Sequence, residues 1–257
     1  MILVATSGYS YDSWRGPFYP RDIDKRDMLS FYAREFPFTE VNSTYYRMPN
    51  RHMLYHMREK TPAGFSFVIK AYRGITHERR QPEQDVALFR EALTPLLESG
   101  RLACVLLQFP YSFRADSEGR DYLVKLAGLL AEVPAVVEFR RRDWIVPATF
   151  DLLRELGFGY VCVDEPGYRG LVPPVVRATA EVAYVRFHGR NFEKWWNHEH
   201  AWERYDYLYS REELAEWVPR IKELEGQAGK VLVAMNNHYA GQAVINARML
   251  REMLSEA

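Results

Sequence analysis

The segment Ala183-Tyr-Val-Arg-Phe-His188 reads as a β-strand that carries its charge on one face. Side chains alternate across a strand, so Arg186 and His188 point one way while Val185 and Phe187 point the other. Directly after it comes Gly189–Tyr209, a long stretch that holds Trp195, Trp196, Trp202, Tyr205, Tyr207 and Tyr209. A strand that ends in charged residues and runs into a long loop is the unit from which α/β barrels build their active rim.

The same unit recurs in both directions along the chain. Seven further strands are expected at Ile2–Thr6, Phe38–Asn42, Phe65–Lys70, Leu102–Gln108, Ala135–Phe139, Gly159–Asp164 and Val231–Asn236. Helical patterns lie between most of them. Arg26–Phe36 follows Asp24, Glu83–Glu98 stops at Ser99-Gly100, and Pro147 opens a helix that Gly157 closes. Ser210-Arg-Glu-Glu213 has the spacing of a capping box, and Ala240–Leu254 forms a last helix. Arg47–Gly64 is the weakest helical stretch. Strands joined by helical crossovers must pair in parallel. A count of eight favours a closed (β/α)8 barrel over an open doubly wound sheet, and Ser7-Gly8-Tyr9 lacks the later glycines of a dinucleotide fingerprint. The chain is expected to be one domain, 1–257, with long loops after strands 1, 3 and 7.

Composition narrows the function classes. The 34 basic residues balance 34 acidic ones, so there is no global basic excess for nucleic acid, although a local basic cleft stays open. Only Cys104 and Cys162 are present, both in apolar runs, which fits reduced core thiols rather than disulfides or a Cys-based metal framework. The start, MILVATSGY, has no secretory pattern, and no segment approaches a membrane span. A cytoplasmic protein with no membrane role and no obligate protein partner is expected.

The strand ends carry the candidate chemistry. Glu40 with Asn42, Glu138 with Arg140, and Arg186 with His188 each share a face, and the residues between them are apolar. Lys70, Gln108, Asp164 and the pair Asn236 and Asn237 close strands three, four, six and eight. In a barrel built for stability alone those inward positions hold Val, Ile or Leu. Two explanations compete. Glu40, Glu138 and Arg186 can form a closed ion network, or the set is a functional rim; ions cost several kcal/mol each to bury unless paired. On the second reading Glu138 is a general base, and His188 or the neighbouring-strand carboxylate Asp164 is its acid partner, with Glu40 beside them. Lys70, Arg140, Arg186 and Arg190 hold an anion. His77, His188 and His238 with the carboxylates give a weaker alternative, a Zn or Mn site of a metal-dependent phosphodiesterase or endonuclease. The cofactor is therefore left open. Loop aromatics, Trp195 and Trp196 foremost, either stack on a ring or pack the loop.

Strings along the whole chain resemble one family. They are Thr6-Ser-Gly-Tyr-Ser-Tyr11, Trp14-Arg-Gly16, Val41-Asn-Ser-Thr-Tyr-Tyr-Arg47, Gly74-Ile-Thr-His77, Gln108-Phe-Pro110, Val137-Glu-Phe-Arg140, Tyr184-Val-Arg-Phe-His-Gly-Arg-Asn191 and Asn236-Asn-His238. The sequence is similar to the YecE-like family, domain of unknown function 72. The resemblance implies a TIM-type barrel but no activity. The matching positions that it implies as candidates are Asn42, Ser43, Tyr46, Lys70, His77, Gln108, Glu138, Arg140, Asp164, Arg186, His188, Arg190, Asn191, Asn236 and Asn237. Arg141 stands where that family usually has His, so a role for that His does not transfer. Tyr9 and Tyr45 replace a Trp and a Phe. The expected function is a hydrolase or lyase acting on an anionic, ring-bearing substrate such as a phosphorylated sugar, a nucleotide or a nucleic-acid end. A protein that binds a nucleic acid or metabolite without turnover is the non-enzymatic alternative.

Overall fold

The computed structural model describes all residues, 1–257. Eight strands form a closed, all-parallel barrel in sequence order: β1 Ile2–Ser7, β2 Phe38–Val41, β3 Ser66–Lys70, β4 Leu102–Gln108, β5 Ala135–Glu138, β6 Gly159–Asp164, β7 Val182–Phe187 and β8 Lys230–Met235. Closure comes from β1 pairing with β8, Ile2 opposite Val231 through Thr6 opposite Met235. Most strand residues are fully buried, because barrel strands are covered on both faces.

The outer layer is uneven. After β1 comes α1, Met28–Tyr32, shorter than the Arg26–Phe36 expected. After β2 come α2, Ser43–Tyr46, and α3, Arg51–Glu59. The latter is a well-formed helix in the stretch that read weakest; the Asn50 side chain caps it by accepting from the Met53 amide at 2.9 Å. Next are α4 Pro82–Glu98, α5 Ser117–Leu129 and α6 Pro147–Glu155. The capping box at Ser210 and Glu213 opens α7, Arg211–Ala215, followed by α8 Val218–Glu225 and α9 Gln242–Glu256.

The β6–β7 connection, residues 165–181, contains no helix. Pro166, Pro173 and Pro174 remove amide donors there and bias their predecessors away from helical angles. The ideal eightfold alternation fails at this one crossover, while the barrel still closes.

Long segments follow β1, β3 and β7 on one rim. After β3 the chain makes a π-helical turn, Gly74–Glu78. A Cβ at Gly74 would lie 2.1 Å from Asp85 Oδ2 and 2.7 Å from the Tyr72 ring, so a larger residue there requires those side chains to shift. No helix is long and apolar enough to cross a membrane.

Candidate functional site

Alternation places Glu40, Glu138 and Arg186 inside the barrel, and they meet there. The Arg186 guanidinium donates to Glu40 Oε2 at 2.8 Å and Oε1 at 2.6 Å, and its third nitrogen reaches Glu138 Oε2. Ser7 and Tyr184, at 2.5 Å for the latter, saturate Glu40. Burial would raise the Glu40 carboxyl, but Arg186 and these hydroxyls outweigh it and hold it low. Glu40 and Arg186 therefore form a closed ion pair that braces β2 against β7. Neither has the free valence expected of a catalytic acid or an anion hook; this corrects the roles read for both, although Arg186 still lines the cavity described below.

Glu138 is less completely satisfied. Its Oε1 lies 2.8 Å from Arg140 and 3.2 Å from His188 Nε2, yet neither Oε1 nor Nε2 has a well-directed hydrogen bond. Burial opposes its ionisation, and Arg140 and Arg186 overcome that, so its pKa lies well below the usual range. A carboxylate so stabilised is a weak base at neutral pH. His188 is fully buried and accepts from Asn236 Nδ2 at Nδ1, 2.9 Å. Burial first, then the Arg140 charge, pushes its pKa down to about 3. It is a neutral imidazole and not the proton donor expected.

Asp164 does not join this group. It lies opposite Phe187 in the β6–β7 register, on the outward face. Its oxygens take Trp217 Nε1 at 2.7 Å, the Tyr209 hydroxyl at 2.7 Å and the Arg190 guanidinium at 2.8–3.2 Å. The expected acid partner is thus a clasp for the α7–α8 layer. Arg190, which also meets Glu213 and Glu216, is consumed with it and holds no anion. Asp164→Asn is expected to cost about 1–3 kcal/mol through lost charge-assisted bonds. Urea melts check this, and anion affinity should stay within twofold.

The carboxyl beside Glu138 is Glu165, one residue further on. Arg140 bridges the two, reaching Glu165 Oε2 at 2.9 Å, while the Val172 amide donates to Oε1 at 3.1 Å. Burial, opposed by Arg140, pushes Glu165 up to about 7. Sequence reasoning missed it because the inward set of strand six was not identified; Val161 and Val163 continue to Glu165 at spacing two, and Val163 lies opposite Arg186.

Above the network lies a cavity of about 240 Å³. Asn42, Ser43, Tyr46, Lys70, Gln108 and Asn236 line it as expected, together with Arg140 and Arg186. Tyr11, Tyr205 and His238 line it too. His238 joins the first and seventh loops and is not part of a metal site: it stacks on Tyr11 at 4.5 Å and meets Tyr205 at 5.2 Å. A second cavity, also about 240 Å³, shares Gln108, Arg140 and Tyr205 with the first and adds His77, Tyr111, Leu171, Trp195, Trp196 and Arg204. Trp195 is buried under Arg204, whereas Trp196 is 54% exposed.

The Lys70 side chain has no ion-pair or hydrogen-bond partner, although its carbonyl accepts from the Thr44 hydroxyl at 2.6 Å. Its ammonium sits 4.7 Å from the centre of the Tyr45 ring. Burial, then the Arg186 charge, pushes its pKa down to about 8. His77, 4.8 Å from Tyr45, is likewise pushed down to about 4 by burial and by Lys70.

Two further candidates hold the framework. Asn191 Nδ2 donates to the carbonyls of Glu203 and Asp206 at 3.0 and 2.9 Å and ties the seventh loop. Asn237, of opposite parity to Asn236, donates to Asn246 of α9 at 2.7 Å. No three His, Cys, Asp or Glu side chains converge as a cation would need. The expected carboxylate ligands face Arg186, Arg140 and Arg190 instead, so the His/carboxylate metal site has no ligand set here.

The comparisons with known proteins agree along the whole chain. The curated UPF0759 protein YunF of Bacillus subtilis is 34% identical, with 99% of this chain and 95% of that one aligned. The crystal structure of a DUF72 family protein from Thermotoga maritima superposes with TM-score 0.91 at 38% identity, covering 99% of each chain. One from Enterococcus faecalis gives 0.89 at 28%, covering 99% of this chain and 96% of that. SacUVDE, at TM-score 0.57 and 11% identity, shares the fold alone. The model of "Protein of unknown function DUF72" matches residues 3–257, and with these relatives it shows that the chain belongs to the DUF72, or YecE-like, family.

Proposed function

We propose that the barrel mouth binds an anionic, ring-bearing small molecule and performs proton-transfer chemistry on it, as a hydrolase or lyase. Phosphorylated sugars, nucleotides and nucleic-acid ends are the substrate classes that fit. The observation that carries this reading is the pair of adjoining cavities. One is lined by Lys70, Arg140 and amide or hydroxyl groups, the other by Tyr111, Trp195 and Trp196, and Arg140 belongs to both. An anion in the first places an attached ring against the second. Lys70 supplies an uncompensated charge and takes the proton-transfer role first read for Glu138. We propose likewise that it is a cytoplasmic protein with no obligate protein partner; the buried free thiols Cys104 and Cys162 are consistent with a reducing compartment.

Sulfate, which keeps its charge across the working range, tests the anion subsite. Its affinity by calorimetry is expected to fall several-fold from pH 6 to pH 9. Glu165 ionises near 7 and compensates Arg140, and Lys70 then loses its proton near 8. His77 and His238, pushed down to about 4, contribute nothing in that window. Turnover on a phosphoester and glycoside panel, with sulfate as competitor, checks the reaction. Sulfate affinity that is flat with pH, with no turnover on the panel, would overturn the reading.

A further inference from the structure

The chain uses seven lysines against 27 arginines. Positive charge in this chain is carried mostly by arginine. Six lysines behave as ordinary surface cations or lie away from the mouth: Lys25, Lys125 and Lys194 pair with Asp12, Glu83 and Glu203, and Lys60 donates to a backbone carbonyl. Lys222 is exposed and Lys230 begins β8 at the opposite end of the barrel. Lys70 alone stands on the cavity wall with no partner. The property that separates lysine from arginine in such a place is that an amine can give up its proton and become a nucleophile.

We propose that Lys70 is a covalent nucleophile that condenses with an aldehyde or ketone carbonyl of the bound anion to form a Schiff base. The inference rests on the anion-site reading above and deepens it: the substrate class becomes an anionic carbonyl compound, such as an open-chain phosphorylated sugar or an oxo acid. The Nζ lone pair attacks the carbonyl carbon while the C–O π pair moves to oxygen, which takes a proton. The resulting carbinolamine expels that oxygen as water, the nitrogen losing its second hydrogen, so amine plus carbonyl gives imine plus one water. No oxidant or reductant enters.

The surroundings suit this step. The Tyr45 ring face stabilises an ammonium without offering an acceptor that would hold its proton. Glu40 and Glu138, the carboxylates nearest in charge, are committed to Arg186 and Arg140. Arg140 and Arg186 on the same wall disfavour a third cation, and with burial they leave the Lys70 pKa at about 8, so about one amine in ten is unprotonated at pH 7. Asn42, whose buried Oδ1 has no partner, lines the same cavity.

Pyridoxal 5′-phosphate serves as a probe, since it joins an aldehyde, a ring and a phosphate. After reduction with borohydride at pH 8, peptide mass mapping is expected to find the pyridoxyl group on Lys70 at least tenfold faster than on any other lysine. K70R should bind pyridoxine 5′-phosphate, the alcohol that cannot condense, within a few-fold of the native affinity and gain no adduct at position 70. If the alcohol binds the native protein but label falls equally on exposed lysines, the Schiff-base inference fails and the anion site stands. If the native protein binds neither compound at millimolar concentration, both fail. Because the mapping is done on the native chain, a variant that does not fold leaves the test intact.

Discussion

Arg186→Met is expected to lose about 3–5 kcal/mol of folding stability at neutral pH, and to lose less at acid pH. The native guanidinium neutralises Glu40 and Glu138 together, with both carboxylates fully buried. Methionine fills much of the volume but leaves Glu40 facing only Ser7 and Tyr184. In the native protein both carboxyls are held below the ordinary value of about 4.5. Their contribution is present above that value and is lost as pH falls through the lowered folded values. In the variant, burial dominates and raises Glu40 above its unfolded value. Its contribution is then complete below about 4.5 and is lost as pH rises through the raised value. Urea midpoints at pH 5 and pH 7.5 separate the cases: Glu165, His77, His188 and His238 titrate in both proteins and largely cancel in the difference, so the stability lost by the variant should be smaller at pH 5 than at pH 7.5. A variant with the native pH slope would show that Arg186 does not neutralise the pair.

Lys70→Met should do the opposite, gaining stability while losing function. An ammonium pushed down to about 8 is disfavoured in the fold at neutral pH. Lys70 keeps some exposure, so after allowance for screening its removal is expected to stabilise by about 1–2 kcal/mol. The unfolded chain holds that proton up to the ordinary value of 10.5, so the native protein should recover part of the difference as pH rises from 8 toward 10.5. Turnover should fall about 10²–10⁴-fold, the range for loss of an acid–base or nucleophilic group. Melting curves of both proteins at pH 7 and pH 9.5, beside kcat/KM on an active substrate, test this. A less stable variant with intact turnover would make Lys70 a structural residue.

How much of this was legible beforehand differs by residue. Glu40, Glu138, Arg186 and His188 came from strand alternation, and the barrel brings them together as that periodicity required. Asp164 and Glu165 show its limit. Strand six offers Val161 and Val163 on one face and Cys162 and Asp164 on the other, and both sets are compatible with burial on either side of a barrel wall. Only pairing with β7 decides it, by setting Val163 opposite Arg186 and Asp164 opposite Phe187. Asn236 and Asn237 divide for the same reason, one toward the cavity and one onto α9. Arg190 follows Gly189, whose φ of 90° breaks the strand geometry, so parity no longer predicts its direction.

The sequence by itself determined the architecture: hydrophobic period and turn residues are local signals, and eight strands with crossovers leave a parallel barrel as the favoured closure. It also determined that polar strand ends crowd one rim. Tertiary structure alone decided which of those charges are spent on one another and which remain for a ligand. Neutralisation depends on distances between side chains more than a hundred residues apart, as between Glu40 and Arg186, and no spacing along the chain encodes them. Lys70 is left over by that arithmetic of partners, and an unpaired charge becomes visible only once every other charge has been placed.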